Sequence, residues 1–444
     1  MKKTIRLGAG SGFSGDRIDP AVTLADRADL DYLVFECLGE RTVAAGNARR
    51  LADPDTGYDP LLLARIRAVL PHVLRRGTTV VTNGGAAHPL AAARRIADLV
   101  GGRARVAAVT GDDVLDAVRT LDPLVWETGK ALSAHPEKLV SANAYIGADA
   151  VLPALSAGAD IVVTGRLADP SLYVAPLVHE FGWDLDDART IGAATAVGHL
   201  LECAGQLTGG YYADPVTKPV PGMADLGFPY ADVSADADAV FGKVDGTGGT
   251  LTTRTATEQL LYEVGDPTTY LTPDVTADFR AVTFEQVGPD RVSLTGATGR
   301  TRPDELKVTL GFLDGWIGEG QISYAGPRAY ERARLAADIV TQRLADVHGL
   351  DPDGVTVELI GAGAAFRGLA TDTAPTEVRL RVTGRAGSRE DADVVGWEVE
   401  SLYTNGPAGG GGARRSHAEV LCIRSTSLPR HLVHTEVHLM EGTR

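Results

Sequence analysis

Residues 4–17 read TIRLGAGSGFSGDR: a short β-rich run passes directly into a glycine-rich turn. Glycines stand at 8, 10, 12 and 15, four in eight residues. Each costs roughly 0.5–1 kcal/mol in unfolded-state freedom relative to Ala, about 2–4 kcal/mol together. That is an appreciable fraction of a typical net stability of ~5–15 kcal/mol. A turn with this cost calls for positive φ angles or for something that approaches the backbone closely. Successive amides in such a loop form an anion-binding nest, and the plainer alternative is a tight strand-to-helix turn. Gly10, Gly12, Ser14, Gly15, Asp16 and Arg17 are therefore candidate anion-binding residues.

Outward from this turn, β-rich runs at 4–7, 32–36, 78–82, 106–110, 138–142 and 160–164 alternate with helical patterns. Leu62, Ile66, Val69 and Val73 recur at helical spacing in one of these, and Ile96, Leu99 and Val100 mark another. The alternation predicts parallel βαβ units covered by helices, a doubly wound or similar α/β layer, with barrel closure as the alternative. Residues 200–275 read as an irregular excursion over the strand ends, with one helical stretch near 255–264. Beyond 280 the pattern is β-rich, and from 320 onward the order is β-α-β-β-α-β, the split βαβ of ferredoxin-like folds. The run 433–439 reads as a further edge strand. The expected fold class is α/β: a parallel-sheet α/β layer domain over residues 1–280, then a β-rich connector and a ferredoxin-like α+β domain over 281–444.

Among 444 residues, 44% are apolar and 23% charged, the profile of an ordinary globular protein. The net charge, 43 − 58 = −15, repels phosphate backbones and anionic membranes, so neither nucleic acid nor membrane is an expected partner. No apolar run approaches the length of a bilayer span, and the start lacks the apolar region of a secretory signal. Three widely spaced cysteines, Cys37, Cys203 and Cys422, argue against a disulfide framework. The expected location is the cytoplasm.

In open α/β sheets ligands bind beyond the carboxyl ends of the strands, and here those ends carry the chemistry. The second strand ends Glu36-Cys-Leu-Gly-Glu40-Arg41: Glu36 and Glu40 are candidate bases and Arg41 a candidate anion clamp. The third ends Asn83-Gly84-Gly85, an amide side chain and two flexible amides suited to polarising a carbonyl. The sixth ends Gly165-Arg166-Leu-Ala-Asp169, where Arg166 either faces a ligand or is tied to Asp169. Glu202 and Gln206 lie one helical turn apart, on one face. Cys203 has no histidine near it in sequence except His199, and reads as an inert core thiol. A second glycine run, Gly409-Gly410-Gly411-Gly412-Ala-Arg414-Arg415, suits phosphate binding, with a flexible linker as the plain alternative. No paired Cys or His motif suggests a metal. Gly10, Gly12 and Gly15 also fit G-x-G-x-x-G, with Glu36 about 20 residues on, which gives a nicotinamide-binding alternative.

These segments together resemble the acyclic terpene utilisation family. The resemblance runs through GAGSGFSGDR (8–17), ECLGERT (36–42), VTNGGAAHP (81–89), VTGRLADPSL (163–172), HLLECAGQLTGGYYADP (199–215), GWIGEGQISYAGP (315–327) and NGPAGGGGARR (405–415), nearly the whole chain. It implies an α/β domain followed by a ferredoxin-like domain, and a role with branched, isoprenoid-type acids handled as coenzyme A thioesters. It supplies no catalytic residues. The expected function is that of a lyase acting on an acyl-CoA or related carboxylic acid, by hydration/dehydration or carbon–carbon cleavage. Glu36, Asp169 and Glu202 are the acid/base candidates, and Asn83 and Arg166 the donors to substrate oxygen. Coenzyme A enters only as part of the substrate, and a homo-oligomer is expected. The alternatives are an NAD(P)-dependent oxidoreductase and a non-catalytic ligand-binding or scaffolding subunit.

Overall fold

The opening stretch continues as strand through its own glycines. In the computed structural model, which describes residues 4–365 and 375–440, β1 spans Thr4–Gly12. None of Gly8, Gly10, Gly12 and Gly15 has a positive φ. What excludes a side chain is packing by the protein itself. A Cβ at Gly10 would lie 2.7 Å from the Phe35 ring, and one at Gly12 would lie 2.5 Å from the Cys203 backbone.

The chain continues through α1 (Asp19–Arg27), β2 (Tyr32–Glu36), α2 (Glu40–Ala52), α3 (Leu62–Arg76), β3 (Thr79–Thr82), α4 (Pro89–Val100) and β4 (Val106–Thr110). Local chemistry sets these limits: Pro89 opens α4, and Gly77 and Gly101 close α3 and α4 in the left-handed conformation. Next come α5 (Leu115–Leu121), the two-residue strands β5 (Leu124–Val125) and β6 (Lys130–Ala131), β7 (Lys138–Ala144), α6 (Leu152–Ser156) and β8 (Ile161–Thr164). Then follow α7 (Ser171–Phe181), α8 (Ala188–Glu202), β9 (Pro229–Ser234), β10 (Ala239–Lys243) and α9 (Thr253–Leu261). The strands β11 (Tyr270–Leu271), β12 (Thr276–Asp278), β13 (Thr283–Gly288), β14 (Arg291–Thr295) and β15 (Thr298–Arg300) precede the long β16 (Glu305–Ala325). The last elements are α10 (Ala329–Asp346), β17 (Val355–Ile360), β18 (Glu377–Ala386), α11 (Arg389–Asn405), β19 (Gly411–Pro429) and β20 (Glu436–Leu439).

Two compact units result. One comprises Met1–Pro136, Val140–Gly311 and Ile423–Arg444, and the other Glu137–Leu139 and Phe312–Cys422. The first is built on a ten-stranded sheet in the order β13-β14-β10-β9-β1-β2-β3-β8-β4-β20. Its central strands β1, β2, β3, β8 and β4 are parallel. The flanking strands are antiparallel, so the sheet is mixed and open rather than parallel throughout or closed into a barrel. The near-continuous Val, Ile and Ala of the central strands are buried, as expected of strands covered on both faces. Helices α1, α3 and α4 pack beside one another, and α6, α7 and α8 form a second group against the same sheet.

Two regions depart from the sequence expectation. The 138–144 strand leaves the large sheet and pairs with β16. Within the stretch expected to be irregular, 229–243 forms the hairpin β9–β10, which extends the sheet beyond β1. Its turn places Ala237 at φ +66°, so no glycine marks it in the sequence.

The second unit follows β-α-β-β-α-β, with sheet order β17-β18-β16-β19 and antiparallel pairing of β18 with both β16 and β17. Helices α10 and α11 pack on this sheet over a core that includes Ile322, Tyr324, Val340, Leu380, Val395 and Val399. The described residues contain 11 α-helices in all. No helix among them is long and apolar enough to cross a membrane.

Candidate functional site

The carboxyl ends of β1, β2 and β8 and the end of α8 open onto one cleft of about 770 Å³. All of its lining residues belong to the first unit. Gly12, Glu36, Arg166, Asp169, Glu202 and Gln206, all singled out from the sequence, line it together. Phe13, Leu38, Trp126, Leu271 and Leu306 supply apolar wall.

Glu36 ends the fully buried β2. Its Oε1 accepts from the Leu38 amide at 2.5 Å and from Asn83 Nδ2 at 3.1 Å. Burial pushes the carboxyl up to about 8; Asp169 adds to the effect, while the Leu38 amide, Asn83 and Arg166 oppose it. Asn83, fully buried, also accepts the Cys37 N–H through Oδ1 at 2.7 Å. Both ends of its amide are thus engaged, and it does not line the cleft. Its amide is taken up by Glu36 and the Cys37 backbone.

Arg166 is 1% exposed. Its Nη1 donates to Asp169 Oδ1 at 2.6 Å and to the Leu167 carbonyl at 2.9 Å. The guanidinium lies over the Tyr145 ring, 3.8 Å from the centroid, while its Nε is buried without a hydrogen-bond partner. Tyr145 donates its hydroxyl to Glu40, which also accepts from Lys307 Nζ at 2.9 Å. Burial opposes ionisation of Glu40, but the bonds from Tyr145 and Lys307 prevail and hold it down to about 2. Tyr145 and Lys307 are not among the sequence candidates. Only the fold brings them to the strand ends.

Glu202 closes α8, and its Oε1 lies 2.8 Å from His199 Nδ1. Its other oxygen, Oε2, is buried without a partner. Burial pushes this carboxyl up, and His199 pulls against that shift. Cys203 also lines the cleft, but burial and the neighbouring Glu202 push its thiol up, which keeps it protonated and a poor nucleophile. The helix does not run on to Gln206. It ends at Glu202, and a 3₁₀ turn over Ala204–Gln206, with Ala204 at φ +43°, carries Gln206 to the cleft.

The remaining candidates lie elsewhere. The Asp16 carboxylate accepts from the amides of Gly12 (2.9 Å) and Arg17 (2.8 Å), so the loop's would-be anion nest holds the protein's own anion. The loop is anchored by the buried Arg65, which pairs with Asp59 and donates to the Ser14 carbonyl at 2.8 Å. Arg17 donates to the Met223 and Ala224 carbonyls. Arg41 is exposed, and Gly84 and Gly85 are buried away from the cleft. Gly409, Gly410 and Gly411 lead into β19 in the second unit. There Arg415 faces Glu400 at 3.4 Å and Asp393 at 3.9 Å, and Arg414 donates to the Ala413 carbonyl.

Gly12 is where the opening turn meets the cleft. Replacing Gly12 with Ala is expected to lower stability by about 1–3 kcal/mol, the usual range for overpacking. The obstructing atoms are Cys203 backbone, which cannot rotate away. Thermal unfolding of G12A against the parent measures this, and an unchanged midpoint would contradict the close approach.

A family model described as "Acyclic terpene utilisation family protein AtuA" matches residues 5–439. No curated protein and no solved structure is significantly similar to the chain.

Proposed function

The chain belongs to the acyclic terpene utilisation family, and on that premise we propose that it is an enzyme acting by general acid–base catalysis on a branched acyclic acyl thioester. One observation carries this reading: Glu36 and Glu202, two buried carboxyls both pushed up towards neutrality, line a single cleft. Groups that titrate near the working pH are the ones suited to moving protons. Hydration/dehydration and retro-aldol cleavage both need such a pair, together with donors to a developing oxyanion. Arg166 and Lys307 stand in the same cleft to supply them.

Charge favours a thioester over a free carboxylate. Lys307 is paired with Glu40 and Arg166 with Asp169, while Glu263 and Glu305 add negative charge to the lining. A neutral carbonyl avoids the repulsion that a second carboxylate would meet there. The apolar wall suits a branched hydrocarbon chain. The nicotinamide reading has less support, because the Asp16 carboxylate occupies the amides that a pyrophosphate would need. The strand order and antiparallel pairing of the second unit support assigning it to the ferredoxin-like arrangement.

The test incubates the protein in D₂O with a panel of branched, unsaturated or hydroxylated acyl-CoA thioesters and the matching free acids, followed by mass spectrometry. Solvent deuterium incorporated into a thioester, or gain or loss of one water, is the expected result, with E36Q and E202Q inactive. Silence across the panel, or turnover undiminished in both variants, overturns the proposal.

A further inference from the structure

His199 does not line the cleft and is 1% exposed, yet its surroundings fix what Glu202 can do. Its Nε2 lies 3.1 Å from the Leu260 carbonyl, an acceptor only, so Nε2 carries a hydrogen. Its Nδ1 faces Glu202 Oε1 at 2.8 Å, with the Tyr270 hydroxyl farther off at 3.4 Å, so a proton between Nδ1 and Oε1 satisfies the closer contact. The ring is held in place by Phe279, stacked at 5.8 Å between centroids, and by Tyr270, tilted at 5.0 Å. Glu202 therefore has one oxygen tied to an imidazole and a second, Oε2, that is buried and unpartnered in a residue lining the cleft.

Glu36 differs in kind. Its two hydrogen-bond donors, the Leu38 amide and the Asn83 side chain, are neutral. The nearby cation, Arg166, is tied to Asp169, whose own charge works against ionisation of Glu36. We propose that the two acids hold fixed and different roles: Glu202, which a protonated His199 makes the first of the two to ionise, is the general base, and Glu36 is the general acid. His199 is then a positioning residue that never touches substrate. This assignment rests on the acid–base reading of the cleft and deepens it.

In a dehydration, the Glu202 carboxylate takes the proton as the C–H bond breaks, and the electron pair of that bond forms the C=C bond. The hydroxyl leaves with its C–O pair and takes the Glu36 proton to become water. Glu202 ends protonated and Glu36 ionised, and exchange with solvent resets both. Other groups bear on the order of ionisation. Asp169 and Glu263 oppose ionisation of Glu202, and Asp169 that of Glu36. Tyr173, Tyr270 and Cys203 stay neutral, their acidities all suppressed by burial.

The test is an infrared pH titration of the protonated carboxyl bands, assigned by their loss in E202Q and E36Q. The Glu202 band is expected to vanish at lower pH than the Glu36 band. In H199Q, whose amide N–H still reaches the Leu260 carbonyl, the Glu202 band should persist to a pH higher by about one unit or more, since an adjacent cation is worth that much. Nitrogen NMR supplies a second measurement that needs no His199 variant. The His199 ring is expected to be doubly protonated in the parent and to lose its Nδ1 proton in E202Q near neutral pH. Glu36 ionising first, a Glu202 titration unmoved in H199Q, or a ring already neutral in the parent would overturn the assignment. None of these readouts involves turnover, so absent activity with this order intact would count against the acid–base reading alone.

Discussion

Replacing Glu36 with Gln is expected to make the protein more stable at pH 8 while it abolishes activity. The buried carboxyl keeps its proton up to about 8 in the folded chain, against 4.5 for an ordinary Glu. Between those limits the folded state binds more protons than the unfolded state, so stability falls as pH rises through the window and levels off above it. A tenfold change in proton affinity is worth about 1.4 kcal/mol, so the total is of the order of a few kcal/mol. Gln keeps an oxygen for the Leu38 amide and Asn83 and has no charge to bury. Parent and E36Q should therefore unfold alike near pH 4.5 and diverge progressively to pH 8, with E36Q the more stable. Thermal midpoints across that range provide the measurement. A midpoint in E36Q equal to or below the parent's at pH 8 would mean that Glu36 ionises there without penalty, and its role as acid would fail. Stability gained as activity is lost marks a strained functional group.

What the sequence made legible follows from how local each signal is. The parallel strands were visible because fully buried strands are runs of Val, Ile and Ala, and α4 because Pro89 and Gly101 mark its two ends. Glu36, Arg166 and Asp169 could be picked out because strand ends in such sheets face the ligand side, and Glu202 from its spacing to Gln206, although the helix ends at Glu202. The hairpin β9–β10 was hidden, since its turn contains no glycine and its strands follow a stretch full of Gly and Pro. The glycines of the opening turn were recognised as costly, but the reason lay far along the chain, in Phe35 and the Cys203 backbone. Tyr145 and Lys307 are not singled out by the sequence as site residues, being about 160 positions apart and meeting at Glu40 only after folding. His199 is visible in the sequence only as a neighbour of Cys203, whereas the side chain that it meets is Glu202. Its spacing of three from Glu202, with both at the end of one helix, was the available clue.

Arg166 offers the sharpest test of how the cleft is held together. R166M is expected to destabilise the protein by about 3 kcal/mol, the low end of the ~3–5 kcal/mol range for breaking a buried ion pair. The low end applies because the Asp169 side chain is 30% exposed and retains some hydration once its partner is gone. The variant also removes a positive charge that opposes the proton on Glu36, so that carboxyl should titrate even higher. Adding D169N should restore a large share of the lost stability, because a neutral amide at that position leaves no unpaired charge beside Glu36. The coupling between the two sites should then exceed 1 kcal/mol in a double-mutant cycle, within the ~0.5–3 kcal/mol seen for contacting residues. Activity should not return with stability, since the guanidinium over Tyr145 is still missing. Additive losses would instead show that Arg166 acts through packing alone, with its charge immaterial to the two acids. Full recovery of both stability and turnover would remove Arg166 from the catalytic cleft altogether.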